Sequence, residues 1–454
     1  MSKNVLNVMV AVALGINALG VSAKTSPEQA AALGGDTLTP VGAQRMGNAE
    51  GTIPEWTGGL KENPAGYEVG KRLVDPFAAD KPLFTITAEN VDQYKGNLSA
   101  GQQAMFKRYP DTYQMPVYPT RRSAKLPESE YQLIKEYATK TALLEGGNGI
   151  IDFRAAVPFP VPNDGLEVIW NHISRYRTAL GLKRRYIQAP VQANGNFSPV
   201  LFEELAMFAN RVPDNPYPNR LMVFLQRILA PARLEGDVLL VHENLDQIAE
   251  PRAAWVYNAG QRRVRRAPNI AYDGPGTASD GLRTADDLDL YNGAPDRYNW
   301  ELLGKKELYI PYNAYPLRRG DLKYKDIIKS GHMNPDYLRY ELHRVWEVQA
   351  KLKEVARHIY AQRTFYVDED TWQIAVVDHY DGRGELWKLK EGHMVFHYQV
   401  SVPWLSAEAL HDLNSGRYLV LGLDNEEKGY PYDFDYLGKF EDFTPSALRR
   451  AGRR

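Results

Sequence analysis

The second half of the chain alternates short apolar runs with turn residues, a pattern that predicts antiparallel strands. From about Lys183 onward, runs rich in β-forming residues are separated by Gly, Asp, Asn and Pro. We predict strands at residues 184–192, 220–229, 236–245, 300–313 and 337–352, and a series of hairpins over 358–400. A short helix is expected at 406–414. Because no strand–helix–strand alternation is visible, the pattern favours one large antiparallel sheet, curled or half-closed.

Residues 252–266 predict a hairpin with a basic return strand. Trp255 to Tyr257 form the first arm, Asn258 to Gly260 the turn, and Arg262 to Arg266 the return. Alternation along a strand puts neighbouring side chains on opposite faces. Val264 is therefore expected on one face and the flanking arginines on the other.

The region before the strands looks different, because it is irregular and rich in Gly and Pro. Only residues 89–108 and 127–145 have helical spacing. We therefore predict an irregular arm with short helices over residues 24–150, wrapped around a half-barrel domain over 151–440. Residues 441–454 are expected to form a frayed, Arg-rich tail.

The first 23 residues have the pattern of a cleavable signal peptide. Lys3 precedes an apolar run from about Val5 to Gly20, and Val21-Ser22-Ala23 offers the small-x-small pattern of a cleavage site. The alternative, a membrane anchor, needs about 20 apolar residues, and this run is shorter and contains two asparagines. The sequence thus predicts export to the periplasm, with membrane contact that is at most peripheral.

Composition narrows the class of protein further. Of 454 residues, 44% are hydrophobic and 24% charged, with a formal net charge of -1, which is ordinary globular composition. The balance of charge argues against nucleic acid as a partner. The absence of cysteine excludes thiol nucleophiles, thiolate metal sites and disulfides, so the stability of the exported protein must come from its core.

Candidate chemical sites are weak. His393 and His397 lie in a predicted strand, where a spacing of four separates side chains by about 13 Å, too far to share an ion. Asp287 and Asp289 fit part of a calcium-loop pattern, but Tyr291 occupies the next ligand position, so a solvated loop is the better interpretation. No G-x-S-x-G motif occurs. We predict no catalytic residue, no metal and no cofactor.

Four segments together resemble one known family. They are GTIPEWTGGL (51–60), RAAWVYNAGQRRVRRAPNIAYD (252–273), YNWELLGKKELYIPYNAYPL (298–317) and TWQIAVVDHYDGRGELWK (371–388). They resemble the bacterial envelope family known as domain of unknown function 1329, which is grouped by fold with the lipoprotein-localisation factors LolA and LolB. The resemblance implies a half-open antiparallel β-barrel closed by helices, whose apolar cavity holds acyl chains. It also implies an RND-type exporter or an outer-membrane protein as a partner.

We therefore expect a carrier or chaperone for a lipid, a lipoprotein acyl chain or another hydrophobic ligand. The expected cavity wall consists of strand residues Trp255, Tyr257, Val264, Leu308, Ile310, Trp346, Trp372, Ile374 and Trp387. Arg262, Arg263, Arg265 and Arg266 are candidates for contact with headgroups or an acidic partner. The N-terminal arm and the loop after Pro268 are long enough to fill or cap the cavity. The alternatives are a non-catalytic scaffold subunit of an envelope export system, and a hydrolase of envelope glycans or lipids.

Cleavage after Ala23 is directly testable. We expect the protein recovered from the periplasmic fraction to begin at Lys24, which its intact mass would establish. A full-length chain found in the membrane fraction would instead support an uncleaved anchor.

Overall fold

The structure, a computed structural model, describes residues 25–267 and 270–452. The predicted signal peptide, residues 1–23, lies outside them. The six α-helices of the described residues are α1 (Pro27–Ala32), α2 (Ala100–Arg108), α3 (Glu128–Tyr137), α4 (Gly165–Ser174), α5 (Tyr324–Ile327) and α6 (Leu448–Ala451). Their eighteen strands are β1 (Phe84–Ile86), β2 (Met115–Val117), β3 (Ala142–Leu143), β4 (Ile150–Ile151), β5 (Gly181–Val191), β6 (Val200–Met207), β7 (Arg220–Ala230), β8 (Val238–Asn244), β9 (Ala253–Asn258), β10 (Arg263–Arg266), β11 (Tyr298–Pro311), β12 (Tyr340–Leu352), β13 (Gln362–Asp368), β14 (Ile374–Tyr380), β15 (Leu386–His397), β16 (Val402–Asp412), β17 (Tyr418–Leu423) and β18 (Tyr432–Asp433).

Sixteen of these strands join one sheet. Its order is β1-β2-β12-β13-β14-β15-β16-β17-β5-β6-β7-β8-β9-β10, with β11 also paired to β12 and β18 to β5. The pairings are antiparallel except for the single contact between β2 and β12. The two ends of this order do not pair with each other, so the sheet is open. This confirms the predicted class, a mainly β protein built on a large half-open antiparallel sheet.

The predicted helix at residues 406–414 is wrong, because this segment belongs to β16. Strand β16 pairs with β15 on one side and with β17 on the other. All of its residues except the last, Asp412, are buried. A strand buried on both faces carries no period-two alternation. The sequence SAEALHDLN therefore resembles a helix until its neighbours are known.

The C-terminal tail is packed against the sheet and is not frayed over the residues described. Phe443 and Leu448 are 1% and 0% exposed, and they cluster with Val223, Leu225 and Tyr257 on one face of β7 and β9. The expectation of a frayed tail is therefore wrong for residues 441–452. Apolar side chains, and not the arginines, determine where this segment lies.

The N-terminal arm is joined to the sheet by packing and by buried charge. Ile53, Phe106 and Met115 share one hydrophobic cluster with the strand residues Leu308 and Ile310. A further link is the bidentate contact of the Arg122 guanidinium with the Asp370 carboxylate, at 2.8 and 2.7 Å. The arm and the sheet thus share a core. The domain boundary predicted between residues 150 and 151 stays a prediction. Within the described residues no helix is long and apolar enough to cross a membrane.

Helix α4 carries His172 and Ile173, which lie beside the cavity described below. Asp164 caps it by accepting a hydrogen bond from the Glu167 amide at 2.9 Å. At Gly165 an added Cβ would lie 2.9 Å from Val348 and 3.2 Å from the Glu301 backbone. The absence of a side chain there lets the start of α4 sit directly on β11 and β12.

The packing of the tail predicts a stability effect. Leu448→Ala should lower the free energy of unfolding by roughly 3 kcal/mol, because it leaves a cavity at a fully buried site. Leu437→Ala, at a position 54% exposed in the same region, should change it by less than about 0.5 kcal/mol. Urea denaturation of both variants is the measurement, and equal effects would contradict the packing described.

Candidate functional site

An apolar cavity lies between one face of the sheet and an irregular segment that covers it. We call this cover, residues 270–292, the lid segment. The cavity has a volume of about 100 Å³. Its apolar lining includes Ala206, Met222, Phe224, Leu239, Val241 and, from the lid segment, Ile270 and Leu288. Further apolar lining residues are Ile173 at the end of α4, Trp404 and Leu405 of β16, and Phe208, Leu221 and Ala285, whereas residues 25–172 contribute no lining side chain.

The pleat of the strands explains which residues reach the cavity. Most lining residues of these strands follow a period of two: 204 and 206 on β6, 222, 224 and 226 on β7, and 239, 241 and 243 on β8. Leu221, at the irregularity in the pairing between Arg220 and Met222, is the exception. The intervening residues point to the opposite face, where the C-terminal tail covers them. These strands are thus covered on both faces, by the tail on one and by the lid segment on the other.

Charged side chains in the cavity wall occur mostly as pairs. The Arg184 guanidinium donates two hydrogen bonds to the Glu204 carboxylate, each at 2.9 Å. Glu204 also accepts from the Tyr186 hydroxyl at 2.7 Å. Arg252 lies 2.5 Å from Glu243. Pairing lets these charges stand beside apolar residues without the penalty of an isolated buried ion.

Asp289 attaches the lid segment to the end of α4. Its two carboxylate oxygens contact Arg175 at 2.5 Å and Arg177 at 2.9 Å. Burial alone would raise the pKa of Asp289, but the two guanidinium groups outweigh it and hold the pKa below its usual value. Asp289 and Leu290 have φ angles of 59° and 62°, a left-handed conformation that non-glycine residues rarely adopt. The ion pairs therefore hold a backbone turn that is intrinsically unfavourable.

Asp286 and Asp287 attach the lid segment to β13 and β14. Asp286 contacts the Arg363 guanidinium at 2.8 Å and His358 at 3.1 Å. Burial opposes ionisation of Asp286, but Arg363 outweighs it and lowers the pKa to about 2. The Asp287 carboxylate contacts His379 at 3.1 Å.

The expectation of a solvated loop is therefore wrong here. Asp286 and Asp287 are 2% and 0% exposed. The oxygens that the partial calcium-loop pattern would offer are engaged by basic side chains.

His172 joins three elements through one imidazole ring. Its Nδ1 accepts the Ile374 amide of β14 at 3.0 Å, so its Nε2 carries the hydrogen. That N–H donates to the carbonyl oxygens of Asp289 and Tyr291 at 2.9 and 3.1 Å. Burial lowers the pKa of His172 well below its usual value, which keeps the ring neutral and this tautomer in place.

One group of residues has the spacing of a metal site. Ligand atoms of His343, Asp368 and Asp370 lie within 4.8 Å of one another. Arg122 already binds Asp370 in a bidentate manner, and Asp368 accepts hydrogen bonds from the amide and hydroxyl of Thr371 at 3.0 and 2.6 Å. We assign this group to fastening the N-terminal arm, since an arm residue supplies its positive charge.

The hairpin residues predicted to line the cavity lie on the other face of the sheet. Trp255, Tyr257 and Val264 pack in the cluster beneath the C-terminal tail. Trp255 packs edge-on against His242, whose Nε2 bonds the Phe443 carbonyl at 2.7 Å. Trp255 and Tyr257 lie opposite Leu240 and Val238, so the alternation of the strands directs them to the tail side and away from the cavity.

The other six predicted wall residues also lie away from this cavity, and two of them, Trp346 and Trp387, are half-buried. Trp346 and Trp372 stack with ring centroids 6.1 Å apart, and the Trp372 indole donates to the Val41 carbonyl at 2.9 Å. Trp387 packs against Tyr360. The remaining three are Leu308 and Ile310 in one cluster and Ile374 in another. None of the nine predicted residues is a lining residue of the cavity.

The basic hairpin is exposed at the edge of the sheet. Arg262, Arg263, Arg265 and Arg266 are all exposed. Arg263 pairs with Asn258, so the turn lies at residues 259–262, later than predicted. Charged side chains on an edge strand also discourage pairing with other chains, and this role needs no ligand.

The sequence carries no clear signal that separates the lining residues from their neighbours. The cavity face mixes apolar residues with Glu204, Gln226 and Glu243. The alternate positions of the same strands also mix apolar residues with polar ones, Glu203, Arg227 and His242. Periodicity therefore shows that each strand has two faces but not which face lines a cavity, and the partners of the charged lining residues are distant in sequence.

The fold and site define a class of protein: an open antiparallel sheet with an apolar cavity closed by an ion-paired lid segment. Residues 85–449 match the family described as "Protein of unknown function (DUF1329)". Over 445 residues the chain is 56% identical to the uncharacterized protein PA3922 of Pseudomonas aeruginosa, covering 97% of each chain. The chain therefore belongs to the DUF1329 family, which confirms the resemblance seen in its sequence.

Two solved structures show more distant similarity. A DUF1329 family protein from Desulfovibrio piger is 14% identical with a TM-score of 0.42, covering 60% of this chain and 92% of that one. The LolA superfamily protein NE2245 from Nitrosomonas europaea is 12% identical with a TM-score of 0.38, covering 62% of this chain and 98% of that one.

Because Asp289 anchors the lid segment, we expect a large change in stability when its charge is removed. Asp289→Asn should lower the free energy of unfolding by roughly 3 kcal/mol, because it leaves Arg175 and Arg177 without their carboxylate. Amide hydrogen exchange across residues 270–292 should also accelerate.

Asp280→Asn is the matched control on the same segment. Asp280 pairs with Arg417 at the surface, so its loss should change stability by less than about 1 kcal/mol. If Asp289→Asn behaved like this control in both measurements, Asp289 would not hold the lid segment.

Proposed function

We propose that this protein is a periplasmic carrier or chaperone that holds an apolar ligand, a lipid or a lipoprotein acyl chain, beneath the lid segment. The observation that carries the proposal is the cavity itself, an apolar space between a sheet face and a segment held by buried ion pairs. Binding would act by burial, because each methylene withdrawn from water contributes about 0.8 kcal/mol. No reaction at the ligand is required.

The size of the cavity implies that the lid segment moves. Its volume of about 100 Å³ is below that of the ~150 Å³ engineered cavity that holds one benzene molecule. An acyl chain therefore needs more space than this conformation provides. In the proposed cycle the described conformation is the closed one, and the ligand shifts the population towards an open one.

The cover is suited to such a movement. Ile270 and Leu288 of the lid segment and Met222 and Leu239 of the sheet are only half-buried. The apolar contacts directly over the cavity are therefore incomplete, whereas Leu282, Leu290 and Tyr291 of the same segment are buried, so the proposed movement concerns the part of the segment above the cavity. Methionine also adapts to differently shaped ligands because its side chain is unbranched and flexible.

The recipient of the ligand stays a prediction. An RND-type exporter or an outer-membrane protein follows from the family resemblance alone. The exposed arginines at 262, 263, 265 and 266 offer a basic surface for an acidic recipient or for anionic headgroups. A scaffold subunit of an export system would use the same surface. The carrier and scaffold hypotheses therefore differ mainly in whether the cavity binds a ligand.

Filling the cavity tests the proposal. Ala206→Phe should weaken binding of the uncharged fluorescent probe N-phenyl-1-naphthylamine by about tenfold or more, equivalent to 1.4 kcal/mol, because the added ring occupies the cavity. Leu288→Phe, which fills it from the lid side, should act likewise if the first variant folds poorly. Probe titration and thermal melting are the measurements.

Val264→Phe is the matched control. It adds bulk at a predicted wall residue that lies outside the cavity, so probe affinity should stay within about twofold of wild type. A wild-type protein that binds neither the probe nor a fatty alcohol would overturn the carrier proposal. Loss of binding in Val264→Phe but not in Ala206→Phe would move the site to the hairpin face.

A further inference from the structure

Four arginines line the cavity, and three of them face a carboxylate. Arg184 is paired with Glu204 at 2.9 Å, Arg177 with Asp289 at 2.9 Å, and Arg252 with Glu243 at 2.5 Å. Each of these three charges is balanced within the wall. The fourth arginine, Arg283, belongs to the lid segment and is in a different situation.

Arg283 is buried without a carboxylate partner. It is 6% exposed, and no carboxylate of the described residues lies within 4.0 Å of its guanidinium. Its Nε donates to the Gln188 side-chain oxygen at 3.2 Å and its Nη1 to the Thr284 carbonyl at 3.3 Å. Nη2 makes no hydrogen bond with any residue of the described part of the chain.

The carboxylate that acts on Arg283 from the same wall is already engaged. Glu408 lies 2.7 Å from the Lys390 amine. It also accepts the lid amides of Asp289 and Leu290, at 3.2 and 3.4 Å. Arg283 is thus a desolvated cation with spare donors, a state that is costly until an anion arrives. Burial accordingly lowers its pKa.

The surroundings hold the guanidinium in one place. At Gly276 an added Cβ would lie 2.6 Å from Nη1, so the missing side chain provides the space in which the group rests. Gln188, which accepts from Nε, is itself fixed by donating to the Thr277 carbonyl at 2.7 Å. A guanidinium held in this way is prepared to bind a planar anion.

We propose that Arg283 is an anion-binding subsite of the cavity, and that the ligand is a single-chain amphiphile with a carboxylate head. The alkyl chain lies along the apolar wall formed by Ala206, Phe224 and Val241, and the carboxylate accepts hydrogen bonds from Nη1 and Nη2 of Arg283. Guanidinium and carboxylate match in such a bidentate contact. This inference rests on the carrier function proposed above and names the class of its ligand.

The test compares two ligands of equal chain length, decanoate and decanol, in displacement of N-phenyl-1-naphthylamine at neutral pH. Wild-type protein should bind decanoate about tenfold more tightly than decanol, as expected for a charge pair formed out of water. Arg283→Gln should remove this preference by weakening the binding of decanoate. Gly276→Ala, which keeps the charge but displaces the guanidinium, should reduce the preference as well.

Arg263→Gln is the control, since it removes an arginine exposed on the hairpin and should keep the preference. Equal binding of decanoate and decanol by wild type would overturn the subsite and leave the carrier function standing. Binding of neither would overturn the carrier function itself. Tighter binding of decyl phosphate than of decanoate would overturn the carboxylate assignment, as would an Arg283→Gln variant that keeps the preference.

Discussion

The closed site depends on the ion pairs that three aspartates of the lid segment make with the rest of the protein. Asp289 meets Arg175 and Arg177 after α4, and Asp286 and Asp287 meet basic groups of the strand region. A polar segment can lie over an apolar cavity only if its charged groups find partners there. Because these contacts are directional, they position the cover while leaving space beneath it.

A sheet with two different covers explains why that space exists. On the tail side, Phe443 and Leu448 pack into β7, β8 and β9 as an ordinary core. On the lid side, the strands present apolar residues mixed with paired charges, and the cover is attached by its aspartates together with the buried side chains of Leu282, Leu290 and Tyr291. One face therefore supplies stability and the other a cavity, and the period-two alternation of the strands keeps the two sets of residues apart.

The sequence predicted the architecture better than the site. The β-rich runs and their turns were sufficient for a large antiparallel sheet, and four sequence segments were sufficient for the family. The helix at 406–414 failed because β16 is buried on both faces, so that local propensity was overridden by tertiary context. The nine predicted wall residues lie outside the cavity under the lid segment, and the sequence could not separate the two situations because a bulky strand residue fills a solid core as readily as it lines a cavity. The contacts of the lid segment could not be predicted from the sequence, because Asp289 and Arg175 are 114 positions apart.

Native mass spectrometry of the protein from the periplasmic fraction would show whether the cavity under the lid segment holds the proposed apolar ligand in the cell. We expect a bound molecule at close to one per chain, which organic extraction would release and identify as a single-chain amphiphile. A protein that emerges with nothing bound, and that takes up nothing from an extract of envelope lipids, would overturn the proposed carrier function.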